Sequence, residues 1–130
     1  MPQVKAILSN YRQSPRKVRV VANLIRGKKV SDITNQLGFL AKRPAGPLET
    51  LVMSAVANAK NLNIPTEELY VKEIRVDGGQ VLKRSMPRAR GRAFPIKKRT
   101  SHIILVLDTE NPKPKKVSSI KLGTSRVTKK

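Results

Sequence analysis

Arg88, Arg90 and Arg92 stand at alternate positions in a segment that holds no carboxylate. From Gly78 to Leu107 the same segment carries Lys83, Arg84, Lys97, Lys98 and Arg99, and neither Asp nor Glu. A guanidinium is a planar fork of N–H donors that grips phosphate bidentately and stacks on flat rings. Eight cations without an internal counter-charge repel one another, so the segment is expected to order against a dense negative partner. Its scattered apolar residues, Met86, Phe94 and Ile96, are broken up by Gly78, Gly79, Pro87, Gly91 and Pro95 and cannot build a core.

Bond-making chemistry has little to draw on. His102 is the only histidine and there is no cysteine. General acid–base catalysis needs titratable partners held near one bond, and the adjacent Glu67-Glu68 would point to opposite faces of a strand. His102 is therefore expected to pack or hydrogen-bond, with base stacking as the other option. Gly78-Gly79 lacks the Lys-Ser/Thr of a phosphate loop and the GxGxxG of a dinucleotide site, so a turn or bulge is expected. No enzyme activity, cofactor, metal or small-molecule substrate is expected.

The 130 residues carry a net charge of +20. Such a chain seeks a polyanion, nucleic acid before an anionic membrane. Aromatics make up only 3% of the chain, which argues against a base-stacking sheet and for contacts to phosphate and ribose. No apolar run approaches the ~18–20 residues of a membrane span. Lys5 and Asn10 interrupt any secretory core at the N-terminus, so a soluble, non-secreted protein is expected. The charge is uneven: +8 over residues 1–31, −1 over 32–77, +8 over 78–107 and +5 over 108–130. That division predicts a near-neutral folded body with basic surfaces attached.

The body must come from periodic apolar residues. Val4–Leu8 predicts a strand. Ser14-Pro15 predicts a helix N-cap and first turn. Val18, Val21, Ala22 and Ile25 then share one face, Gly27 caps, and Arg16, Arg19, Asn23 and Arg26 lie opposite. Ser31-Asp32 predicts a second cap, ahead of Ile33, Leu37, Leu40 and Ala41. Residues 42–47 predict a loop. Leu48, Leu51, Val52, Ala55, Val56, Ala59 and Leu62 predict a long helix. Leu69–Val76 and Ile103–Leu107 predict strands, the second buried on both faces.

Two readings of the link between those strands compete. Asp77-Gly78-Gly79 can form a tight turn, or a bulge at the root of a long hairpin turning near Arg90. The long hairpin is preferred, because it pairs Ile74 and Val76 with about Val106 and Ile104. It would project roughly 30 Å at ~3.3 Å per residue. Residues 111–130, with seven bases and no acid, predict a disordered basic tail.

The run from Lys83 through Ala93 resembles the signature of the bacterial large-subunit ribosomal protein L twenty-two family. So do Ile96 through Ile103, Ser14 through Arg19, Ile25 through Lys28 and Ser54 through Ala59. The resemblance spans about residues 5–108. It implies an α+β fold: three helices packed on a small three-stranded antiparallel sheet, with a long protruding β-hairpin at about 78–102. Residues 1–110 would form one domain and 111–130 the tail. It also implies binding to 23S ribosomal RNA, contact with neighbouring large-subunit proteins, a part in subunit assembly and a cytoplasmic ribosome, or an organelle ribosome if encoded there. No membrane partner is implied. The RNA-binding set would be Arg12, Ser14, Pro15, Arg16, Lys17, Arg19, Lys28, Lys83, Arg84, Arg88, Arg90, Arg92, Lys97, Lys98, Arg99, Thr100, Ser101 and His102. The tip, Arg88, Ala89, Arg90, Gly91 and Arg92, would line the nascent-peptide exit tunnel and meet the nascent peptide. Phe94-Pro95 departs from the family pattern, which has a more polar residue and no proline there, and is expected to bend the returning limb.

Overall fold

The computed structural model describes residues 3–109. The order is β1 (Val4–Tyr11), α1 (Pro15–Ile25), α2 (Val30–Phe39), α3 (Ala45–Asn61), β2 (Tyr70–Pro87) and β3 (Ala93–Asp108), with a 3-10 turn at Ala89–Gly91. The strands form one antiparallel sheet in the order β1-β3-β2. This is the expected α+β fold. The expected tail lies outside the described residues.

The helices bury the stripes that their periodicity marks out. Val18, Val21, Ala22 and Ile25 of α1 are buried, with Pro15 in the first turn. Gly27, at φ 73°, follows the Arg26 cap in the left-handed conformation that favours glycine. Leu48, Leu51, Val52, Ala55 and Ala59 of α3 join Ile33 and Leu37 of α2 in one core with Ile74, Ile103, Leu105 and Leu107.

Several boundaries differ from expectation. α2 begins two residues early, at Val30, with Lys29 as its cap. Tertiary pairing decides this: Val30 N–H donates to Leu69 O, and Lys29 bridges Tyr70. Ser31 and Asp32 thus fall in the first turn, where Asp32 still meets the positive helix end. α3 begins at Ala45, so Gly46 and Pro47 belong to its first turn rather than to a loop; a proline there lacks only an N–H that would be unpaired anyway. Ala41 and Leu62 are exposed. In β3, Ile103, Leu105 and Leu107 are buried while Ile104 and Val106 are half-buried, so that strand is covered fully on one face only.

β2 and β3 run past the core and become the arm. Val81↔Arg99 through Pro87↔Ala93 centre the turn on Arg90, as expected. In the body the register slips by one: Ile74 pairs with Leu105 and Val76 with Ile103. The slip is a bulge, in which Gly79 and Gln80 face Thr100 alone between Gly78↔Ser101 and Val81↔Arg99. Thr100 Oγ1 donates to Gln80 O at 2.7 Å. A Cβ on Gly79 would lie 2.5 Å from Thr100 Oγ1 and 2.9 Å from His102 Nε2, so the bulge needs glycine. The tight turn at Asp77-Gly78-Gly79 does not form. Pro95 pairs with Ser85 and the register there is unbroken, so Phe94-Pro95 does not interrupt the returning limb.

Two outcomes follow from this packing. Ala55→Leu, at a site with 0% exposure, should lose ~1–3 kcal/mol through overpacking, read by urea denaturation. Gly79→Ala should raise amide exchange at residues 78–82 and 99–102 while leaving α3 protected.

Candidate nucleic-acid interface

Two adjoining cavities open where the arm leaves the body, sharing Ser14 and Arg99. One, of about 390 Å³, is lined by Ser14, Pro15, Arg16, Arg19 and Arg99. The other, of about 740 Å³, is lined on one side by Arg12, Lys17 and Arg43 and on the other by Lys97, Lys98 and Thr100. No carboxylate lines either one. The start of α1 also faces this cleft. Its first turn holds no acid and Ser14 makes no side-chain capping bond, so the positive end of the helix is not neutralised. Eight cationic side chains thus meet from three separate segments.

The arm continues the same charge outward. All eight of its bases are exposed. Lys83 sits directly opposite Lys97, a like-charge pair that destabilises a free ribbon. Among the described residues the ion pairs are Lys72–Asp108 and Arg75–Asp77, and neither uses a base of the cleft or arm. At the tip, Arg88 N–H donates to Arg92 O at 2.8 Å. Arg90 at φ 58° and Gly91 at φ 67° turn the chain. Arg88, Ala89, Arg90, Gly91 and Arg92 are all exposed.

The structure separates the sequence-predicted residues into groups. Arg12, Ser14, Pro15, Arg16, Lys17, Lys97, Lys98 and Arg99 meet at the cleft. Lys83, Arg84 and the tip stand further out on the ribbon. Lys28 does not reach the cleft lining; its Nζ donates to Gln36 Oε1 at 2.7 Å. Ser101 is fully buried, with an unpartnered Oγ, and Thr100 is 8% exposed with its hydroxyl given to Gln80. Ser101 is thus withdrawn from any external polyanion, while Thr100 lines the cleft with its hydroxyl already engaged. His102 Nδ1 accepts from Asn10 N–H at 3.1 Å, tying β1 to the arm root. Arg43 was not foreseen as part of the site. It lies in an irregular segment without periodic signal, and only the tertiary fold brings it to the cleft.

Arg19 has a second task. Its Nε and Nη2 donate to Val76 O at 3.2 and 2.9 Å. Arg26 Nη2 donates to Ile74 O at 2.9 Å. Further back, Gly27 N–H donates to Val71 O, Val71 N–H to Lys28 O, and Val30 N–H to Leu69 O. The outer edge of β2 is thereby hydrogen-bonded from Leu69 to Val76, and the free ribbon begins just beyond.

An arm of this shape, rooted in a cleft of eight cations on an α+β body, invites comparison with known proteins. Residues 6–108 match the family described as Ribosomal protein L22p/L17e. The chain belongs to that family. The large ribosomal subunit protein uL22 of Herpetosiphon aurantiacus is 50% identical over 107 residues, covering 82% of this chain and 95% of its own. That of Desulfitobacterium hafniense is 54% identical over 108 residues, covering 82% and 95%. That of Bdellovibrio bacteriovorus is 50% identical over 107 residues, covering 82% and 97%. Family membership makes this chain a structural constituent of the large subunit of a bacterial-type, cytoplasmic ribosome, and not an enzyme.

The edge contacts of Arg19 separate its role from that of its basic neighbours. Arg19→Met, which removes both donors to Val76 O, should cost about 1 kcal/mol in urea denaturation. Arg19→Gln can place an amide N–H where Nε stands and should recover most of that loss without restoring the charge.

Proposed function

We propose that the protein binds 23S ribosomal RNA through the cleft at the arm root and through the arm itself. The observation that carries this reading is the set of eight exposed arm bases with no carboxylate partner. Lys83 facing Lys97 across the ribbon points the same way, because a dense negative partner relieves the repulsion of such a pair. Phosphate contacts of this kind fix position and register, and they report RNA shape more than sequence. Concave, acid-free walls from α1, the segment before α3 and β3 suit a bent strand of RNA backbone.

On this reading the cleft residues Arg12, Arg16, Lys17, Lys97, Lys98 and Arg99 anchor the body. Lys83 and Arg84 hold the limbs, and Arg88–Arg92 line the peptide exit tunnel beside the nascent chain. Residues 1–110 act as one RNA-binding unit that joins the subunit during assembly and abuts neighbouring ribosomal proteins. The seven bases of residues 111–130 add further RNA contact.

The test is binding of the purified full chain to 23S ribosomal RNA across a salt series. Arg88→Ala and Arg99→Ala should melt like the parent, bind more weakly and each lower the salt slope by up to ~1. Equal affinity for duplex DNA at matched salt would reject the reading, as would unfolding of free Arg99→Ala. For the tunnel, a photocrosslinker at position 90 in assembled ribosomes should capture a stalled nascent chain; capture of ribosomal RNA alone would remove the tip from the tunnel wall.

A further inference from the structure

The arm has two chemically different faces, and the strand register sets them apart. Residues directly opposite on antiparallel strands put their side chains on one face, and the faces alternate along each strand. Val81 with Arg99, Lys83 with Lys97, and Ser85 with Pro95 therefore share a face. Its long polar side chains are all cations, and it suits phosphate. Leu82 with Lys98, Arg84 with Ile96, and Met86 with Phe94 share the other. Four of these six side chains are apolar. Met86 is 44% exposed and Phe94 53% exposed.

An uncovered aromatic on a solvated ribbon needs a partner that is flat and apolar. Arg84 and Lys98 on the same face need that partner to be negative as well. Arg84 sits opposite Ile96, two residues along β3 from Phe94, and so lies diagonal to the ring. No carboxylate occurs from Gly78 to Leu107 to serve these cations from within. A purely apolar protein segment would bury Arg84 and Lys98 against nothing. An unstacked nucleotide meets both demands, because its base offers a π face and its phosphate an anion a few ångströms away.

We propose that Phe94, backed by Met86 across the strand and flanked by Arg84, is a stacking platform for an unstacked base of ribosomal RNA. The opposite face, with Arg99, Lys83 and Lys97, holds phosphates. The proposal rests on the RNA-binding reading above and sharpens it: one face of the arm takes bases, the other backbone. It also adds a base contact to the expectation that a chain with 3% aromatics makes mainly phosphate and ribose contacts. One ring at the right register suffices for one base. Pro87 and Pro95 lie on the opposite face beside it, and their fixed φ stiffens the ribbon there.

The experiment compares full-length variants for binding to 23S ribosomal RNA across a salt series, with melting curves as a folding control. Phe94→Ala should weaken binding by about 5- to 150-fold, the range for loss of one stacked base, and leave the salt slope unchanged. Phe94→Trp should bind like the parent. Lys97→Ala, on the other face, should lower the slope by up to ~1. If Phe94→Ala binds like the parent while Lys97→Ala weakens, the platform is wrong and the RNA-binding reading stands. If the parent itself fails to bind, that reading falls first. Should Phe94→Ala misfold, the deciding measurement is a benzophenone crosslinker at position 94 in assembled large subunits. A crosslink to a base of ribosomal RNA supports the platform, whereas one to a protein or nascent peptide overturns it.

Discussion

Everything distinctive about this molecule depends on how the outer edge of β2 is satisfied. An exposed strand edge is a row of unpaired donors and acceptors that must be met or blunted. From Leu69 to Val71 the segment after α1 meets it with backbone bonds. At Ile74 and Val76 the guanidiniums of Arg26 and Arg19 take over. This lets α1 lie along the sheet and bury Val18, Val21, Ala22 and Ile25. It also fixes where the body stops. Past Val76 only the first turn of α1 still reaches the ribbon, at Gly78 and the cleft, and the side chains of β2 turn from core residues to exposed cations within a few positions.

That division resolves a conflict inherent in a charge of +20. Cations destabilise a compact state by repulsion, so a small domain with a modest core cannot distribute them freely. Residues 32–77, which supply α2, α3 and most of the body part of β2, carry a net −1. The positive charge sits instead on the outward face of α1, at the cleft and on the arm. There, repulsion acts on parts whose distortion costs the core little. The arm's opposed Lys83 and Lys97 are tolerable because the ribbon is not asked to be stable alone.

Much of this could be read from the sequence, for physical reasons. Helical stripes such as Val18–Ile25 and Leu48–Ala59 are local patterns, and burial follows them directly. The acid-free segment between two apolar strands shows the arm, and its symmetry about Arg90 shows the turn. What could not be read depends on contacts distant in sequence. The start of α2 is set by Leu69 and Tyr70, nearly forty residues away. Arg43 joins the cleft only through the packing of α3. Arg19 looked like one more surface cation, and nothing local marks it as the group that binds Val76 O. Thr100 and Ser101 sit in a polar, basic run, yet packing on the two faces of β3 buries both.

The bulge at Gly79-Gln80 links these features to the chemistry of the arm. A one-residue slip reassigns every side chain to the other face relative to its partners. If the body register continued unbroken, Leu82 would face Lys97, Arg84 would face Pro95, and Met86 would face Ala93. Phe94 and Ile96 would then share a face with Lys83 and Ser85, and the apolar residues would be split between the two sides. The extra residue in β2 rephases the strands, bringing Leu82, Met86, Phe94 and Ile96 onto one face and Lys83, Lys97 and Arg99 onto the other. Gly79 is the residue that permits this, since a Cβ there would strike Thr100 and His102. The glycine at the arm's root, far from the tip, therefore decides whether the arm has two kinds of surface or one.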